Sequence, residues 1–150
     1  MEECLLLKMR SHVLSRREKE EMLEALTALL VEHEEILFAY AHGSFLEDGP
    51  FRDLDVAVWV EGHPPRRFEY EDGLVLEFAH KRLFTFPLDI RVLNDAPIAF
   101  QRYAIGGRLL IDRNPDLRLN MVTRVISRYL DIKPILEHHL REAFISDPQS

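Results

Sequence analysis

Cysteine is all but missing. Cys4 stands alone among 150 residues, which excludes an internal disulfide framework and fits a reducing cytosol. Basic residues are in the minority, 19 against 26 acidic, for a net charge of −7. That argues against broad, sequence-independent nucleic-acid binding, which needs a basic surface. A nucleotide is still admissible, because metal ions can screen its phosphates, and an acidic surface suits a basic protein partner. No apolar run approaches the roughly 20 residues of a membrane span, and no small-residue cleavage site follows the short apolar patch near the N-terminus. Internal repeats and low-complexity runs are also lacking. What remains is an ordinary globular composition, 47% apolar, at a length that fits one domain over residues 1–150.

The informative stretch is His42 to Val60, HGSFLEDGPFRDLDVAVWV. An apolar run, Ile36 to Ala41, feeds into Gly43-Ser44. A polar loop follows, and then a second apolar run opens with Asp53-x-Asp55. Side chains alternate along a strand, so Asp53 and Asp55 point to one side. Two carboxylates on one face repel each other unless a cation sits between them. Paired hard oxygens suit Mg²⁺, which takes its remaining ligands from water and substrate phosphates. Glycine before the serine lets the backbone approach a bulky anion, and the amides of such a turn favour phosphate.

The flanking elements read as alternating helix and strand. Ser15-x-x-Glu18 is a capping box. It opens a helix to about His33 with Met22, Leu23, Leu26, Leu29 and Leu30 on one face. Strands are expected at Ile36–Ala41 and Leu54–Val60. Between Arg66 and Leu83 a helix is favoured, its stripe running through Leu74, Phe78, Ala79 and Leu83. Asp72-Gly73 allows a hairpin as the rival reading. A third strand spans Leu88 to Leu93, with Leu88, Ile90 and Val92 on one side and Asp89, Arg91 and Leu93 on the other. A helix capped by Asp95 or Ala96, with Pro97 in its first turn, runs to Ile105, where Gly106-Gly107 ends it. Arg108–Ile111 is a short fourth strand. A last helix starts at Asn114-Pro115, buries Leu117, Met121, Val125 and Tyr129, and breaks or kinks at Pro134. Residues 1–14 stay open between helical turn and strand, and 146–150 read as a disordered tail. The fold class is therefore α/β: a small mixed sheet of about four strands, helices mainly on one face, a core over about 15–112 and a helical segment over about 115–145.

Gly43-Ser44 followed by Asp53-x-Asp55 resembles the signature of the DNA polymerase β-like nucleotidyltransferases, and within them the minimal nucleotidyltransferase (MNT) branch. The gap from Ser44 to Asp53 is two residues shorter than is usual there, and it lacks the frequent Arg-Gly pair. Leu93-Asn94-Asp95-Ala96-Pro97, Gly107 to Asp112, and Tyr129-Leu130-Asp131-Ile132-Lys133-Pro134-Ile135-Leu136 extend the likeness to the MNT antitoxins of HEPN/MNT toxin–antitoxin pairs. The resemblance implies that the strand bearing Asp89 lies beside the strand bearing Asp53 and Asp55. Asp53, Asp55 and Asp89 would then be the catalytic, metal-binding set for two Mg²⁺ ions. Asp89 would also act as base, and Gly43 and Ser44 would hold the nucleotide phosphates. It implies transfer of AMP from ATP to a tyrosine hydroxyl of a HEPN toxin, in a cytoplasmic hetero-oligomer with that toxin. Two other functions stay open: nucleotidyl transfer to a small molecule, as in aminoglycoside-modifying relatives, and a non-catalytic antitoxin acting by contact alone. A salt bridge to Arg91 is the bland alternative for Asp89. His42, His63, His80, His138 and His139, the Arg66-Arg67 pair and Trp59 are read as packing or surface residues.

Overall fold

A computed structural model describes residues 10–145. The uncertain segment at 1–9 and the expected tail at 146–150 lie outside the described residues.

The elements in chain order are α1 (Arg16–Val31), β1 (Ile36–His42), a short 3₁₀ turn (Ser44–Leu46), β2 (Leu54–Val60), α2 (Arg67–His80), β3 (Leu88–Val92), α3 (Ile98–Ile105), β4 (Arg108–Asp112) and α4 (Pro115–Ile145). The strands form one sheet in the order β3-β2-β1-β4. Strand β1 is antiparallel to both β2 and β4, while β2 and β3 are parallel. The parallel pair needs a crossover, and α2 supplies it.

The expected capping box is formed. Glu18 N–H donates to Ser15 Oγ (3.1 Å) and Ser15 N–H donates to Glu18 Oε1 (3.0 Å). At the start of α4, Leu117 N–H donates to Asn114 Oδ1 (3.1 Å). Over Arg67–His80 the helix wins against the hairpin, because Leu74 and Phe78 become core residues only in helical spacing. The buried stripe there is Glu71, Leu74 and Phe78; Ala79 and Leu83, expected to continue it, face solvent. The third helix also starts later than expected. Pro97, not Asp95 or Ala96, occupies the cap position, and Asp95 takes a left-handed turn conformation (φ 55°) before it. Helix α4 runs unbroken through Pro134. Proline withholds its N–H from the carbonyl of Leu130, a residue well exposed, so water can serve that carbonyl instead.

The helices divide between both faces of the sheet rather than packing mainly on one. Even-numbered β2 residues Leu54, Val56, Val58 and Val60 join Leu88, Ile90 and Val92 in a large core under α1 and α2. On the other face, Phe38, Tyr40, Ala57, Trp59 and Leu93 pack with Ala104, Met121 and Val125 from α3 and α4. Trp59 stacks on Phe38, ring centroids 5.4 Å apart. These aromatic side chains on the second face could not be left to water, so a second helical layer covers them.

Candidate active site

The site gathers where β1 ends and where β2 and β3 begin. In the parallel ladder Asp55 is the direct partner of Asp89, and across the antiparallel ladder it is the partner of His42. Asp53 lies two residues before Asp55, so all three carboxylates reach the same face. One oxygen from each of Asp53, Asp55 and Asp89 lies within 4.8 Å of the other two. All three side chains are partly buried.

This convergence has an electrostatic consequence. Asp55 is pushed up to about 7, first by burial and then by the charges of Asp53 and Asp89, with Arg91 opposing. Among the described residues, Arg91 is the cation whose charge opposes this rise. Its Nε is 3.6 Å from Asp89 Oδ1, with 60% of the Arg91 side chain and 37% of the Asp89 side chain exposed. Such a long, solvent-washed pair contributes little. The bland alternative for Asp89 is thus present in geometry, but it does not neutralise three carboxylates. An all-oxygen donor set around one point fits a hard divalent cation such as Mg²⁺.

Gly43 makes the convergence sterically possible. It adopts φ 87°, a left-handed conformation, and a Cβ there would lie far inside contact distance of Asp55 Oδ2. Ser44 opens the 3₁₀ turn, is exposed, and its hydroxyl has no partner among the described residues. Gly107 plays a packing part nearby, since a Cβ on it would strike the carbonyl oxygen of Ala41.

The loop from Glu47 to Arg52 is anchored by its own contacts. Phe45, Phe51 and Phe86 form a mutual ring cluster with centroids 4.8 to 5.5 Å apart. Lys19 reaches out of α1 beneath it. Its Nζ donates to the carbonyls of Glu47 (2.6 Å) and Gly49 (3.3 Å) and lies 5.6 and 5.2 Å from the ring centroids of Phe45 and Phe51. Arg16 adds a two-pronged pair with Asp48 at 3.1 and 3.0 Å. Sequence reasoning missed Lys19. The signal was there: Lys19 is in helical register with Leu23, Leu26 and Leu30, on the apolar face of α1.

The histidines stay outside the carboxylate group. His42 is buried, meets the rings of Phe100 and Tyr103 edge-on, and neither ring nitrogen has a hydrogen-bond partner. Burial holds it below the usual imidazole range, with Asp89 opposing that shift and Arg91 adding to it. His63 pairs with Asp95 at 2.9 Å, and His138 pairs with Glu142 at 3.2 Å on exposed helix. Arg66 pairs with Glu69 on the surface.

Comparison with known proteins agrees with this architecture. No curated protein matches the chain in sequence. Among solved structures, a chain of the toxin–antitoxin MntA–HepT superposes with a TM-score of 0.59 at 16% identity, covering 85% of this chain and 97% of that one. A chain from the tri-AMPylated Shewanella oneidensis HEPN toxin in complex with MNT antitoxin gives 0.57 at 17% identity, covering 88% and 99%. A toxin–antitoxin complex with AMP-PNP gives 0.62 at 18%, covering 85% and 98%. These likenesses establish a shared fold. The family model "Polymerase beta, Nucleotidyltransferase" matches residues 24–116, a span that runs from within α1 to the start of α4 and includes Gly43, Ser44 and all three aspartates. The chain belongs to the polymerase beta nucleotidyltransferase family.

Proposed function

We propose that this protein transfers AMP from ATP to a tyrosine hydroxyl of a HEPN-type toxin and thereby acts as that toxin's antitoxin. The observation that carries the reading is the convergence of Asp53, Asp55 and Asp89 on one open point. The solved relatives add support. One is described with an AMPylated HEPN toxin and another with AMP-PNP.

Asp53 and Asp55 would hold two Mg²⁺ ions, with Asp89 as a ligand of one of them. The ions supply the positive charge that lets polyphosphate approach three carboxylates and that stabilises charge on the attacking and leaving oxygens. The remaining work falls to the chain. The Gly43 backbone and the free Ser44 hydroxyl bind the β- and γ-phosphates. Asp89 lies at the margin of the cluster, where an acceptor hydroxyl can reach it, and takes the proton from that hydroxyl. The acceptor oxygen bonds to the α-phosphorus, the bond from that phosphorus to the bridging oxygen breaks, and pyrophosphate leaves. No helix among the described residues is long and apolar enough to cross a membrane. We place the reaction in the cytoplasm, where ATP and reduced Cys4 coexist.

The test is an intact-mass measurement on a HEPN protein encoded beside this one and co-produced with it. With wild type, the partner gains the mass of AMP and loses ribonuclease activity. With Asp53→Asn and Asp55→Asn together, the added mass disappears. Should both forms silence the partner equally without any added mass, the contact-only antitoxin replaces the enzyme.

A further inference from the structure

Arg91 is the register partner of Ala57 and stands two residues beyond Asp89 on the same face of β3. Its guanidinium turns back toward the site. Nε lies 3.6 Å from Asp89 Oδ1, and the guanidinium carbon lies 5.8 Å from the ring centroid of Phe100 on α3. At 3.6 Å the contact with Asp89 is not a hydrogen bond. Arg118 gives the contrast, with its Nε 2.8 Å from Asp112 Oδ2. The N–H donors of Arg91 have no hydrogen-bond partner among the described residues. The margin of the site therefore holds a guanidinium that rests on an aromatic ring and keeps its donors open. It opens onto a cleft of about 450 Å³ that Asp89 also lines. The other charged groups of that cleft come from α2. Glu71 is bonded to Val92 N–H (2.7 Å), Arg67 lies 4.8 Å from the ring centroid of Phe68, and Asp72 is exposed.

Strand order decides which substrate Arg91 faces. In the order β3-β2-β1, the Gly43-Ser44 turn after β1 lies to one side of Asp53 and Asp55, and Asp89 and Arg91 lie to the other. With the β- and γ-phosphates at Gly43 and Ser44, pyrophosphate departs on the β1 side. Attacking and leaving oxygens are roughly in line, so the acceptor oxygen enters from the β3 side, beside Asp89 and Arg91. A tyrosine hydroxyl ordinarily ionises only at about pH 10, and its oxygen turns negative as Asp89 removes the proton. Three carboxylates and a triphosphate make this a costly place for a further negative charge. An open guanidinium within hydrogen-bond reach offsets that cost. The ring of Phe100 also gives a planar phenol a surface to pack on, which an aliphatic hydroxyl does not use.

We infer that Arg91 receives the acceptor tyrosine and donates a hydrogen bond to its oxygen as the phenolate forms, so that Arg91 and Phe100 together select a phenol over an aliphatic hydroxyl. The inference rests on the nucleotidyltransferase reading above and names the residue that holds its acceptor. Asp89 takes the phenol proton, the phenol oxygen bonds to the α-phosphorus, the bond from phosphorus to the bridging oxygen breaks, and pyrophosphate leaves. Arg91 keeps its own protons throughout.

The experiment uses the full chain with ATP, Mg²⁺ and the HEPN protein encoded beside it. That partner is prepared with ordinary tyrosine, monofluorotyrosine or difluorotyrosine, phenols of rising acidity. Transfer is read by intact mass and by pyrophosphate release. Arg91→Ala should slow transfer to the tyrosine form about thirtyfold, as expected for a lost hydrogen bond to a charged group. The loss should shrink to about threefold with difluorotyrosine, whose oxygen needs less help to ionise. Arg91→Lys should recover part of the rate, since it restores the charge but not the planar fork. Calorimetry with an ATP analogue carrying a methylene bridge between the α- and β-phosphorus should give the same affinity for wild type and Arg91→Ala. Urea unfolding should also be unchanged, because the exposed pair with Asp89 contributes little. An equal loss with all three partner forms overturns the inference, because a merely structural role does not follow phenol acidity. Undiminished transfer by Arg91→Ala, weakened binding of the analogue, or AMP found on serine or threonine overturns it as well. Absence of AMP transfer and of pyrophosphate release by wild type with every partner form overturns the nucleotidyltransferase reading itself.

Discussion

The two faces of the sheet are built by the same strands and do different work. On the face under α1 and α2, every β2 and β3 side chain is apolar, from Leu54 to Val60 and from Leu88 to Val92. On the opposite face the same strands carry apolar residues at one end, Ala57, Trp59 and Leu93, and carboxylates at the other, Asp55 and Asp89. Helices α3 and α4 cover the apolar end and stop short of the carboxylates, and the buried ring of His42 marks the boundary. A period of two lets one strand serve a core and a site at once. The first face stabilises the fold. The second is stable over half its length and carries uncompensated negative charge over the rest.

The sharpest way to break this contrast is Phe78→Ala. Phe78 is fully buried on the first face, and its truncation should cost about 4 kcal/mol in urea unfolding. Catalysis per folded molecule should be unchanged. A coupled loss of nucleotidyl transfer in the molecules that remain folded would show that the faces are not separable.

Lys19→Met probes the tie between them. The butyl stem still packs, but the carbonyls of Glu47 and Gly49 lose a charged donor, so about 2 kcal/mol should be lost. Amide exchange should quicken first in the 46–53 loop. Uniform exchange along the chain would mean that Lys19 serves the core generally and not the loop.

Asp55→Asn should act in the other direction. Its folded value near 7 lies above the ordinary carboxylate value of 3.8, so the folded state keeps a proton that the unfolded state gives up. The contribution of Asp55 is therefore most favourable below about pH 4 and is lost as pH rises through about 7. Without divalent metal, wild type should become less stable over that range by about 2 kcal/mol once solvent screening is allowed for. Asn should flatten the slope and stabilise the metal-free protein at pH 8. Parallel pH profiles for the two proteins would show that the cluster stores no repulsion.

The smallest effect belongs to Arg16→Ala. Its bond to Asp48 is well aligned, yet both side chains are largely in water, so no measurable change in melting temperature is expected. A clear drop would assign the loop's anchorage to Arg16 rather than to Lys19.

Much of this is legible in the sequence. The capping box at Ser15, strand β2 to the residue, the alternation along β3 and the proximity of the DxD pair all follow from local patterns. Local patterns misjudged other points, and each for a physical reason. Ala79 and Leu83 are apolar and extend the stripe by residue type, but Ala79 sits about 100° round the helix from Phe78 and Leu83 falls beyond the helix end at His80, so both face solvent. Asp95 looked like a cap by residue type, whereas its left-handed turn leaves the cap position to Pro97. The charge of Lys19 masks its place in the apolar stripe of α1. Glu71 was invisible because its partner, Val92 N–H, is 21 positions away.

The sequence by itself determined the period-two segregation of apolar and acidic residues, the glycine at position 43 and the family signature, since these are properties of neighbouring residues along one chain. Only the tertiary structure decided that Asp89 stands beside Asp55, that helices cover both faces, and that Glu71 takes the Val92 N–H at the outer edge of β3. Those outcomes depend on strand order and register, which join residues 34 positions apart (Asp55 and Asp89). Local propensity carries no information about contacts at that separation.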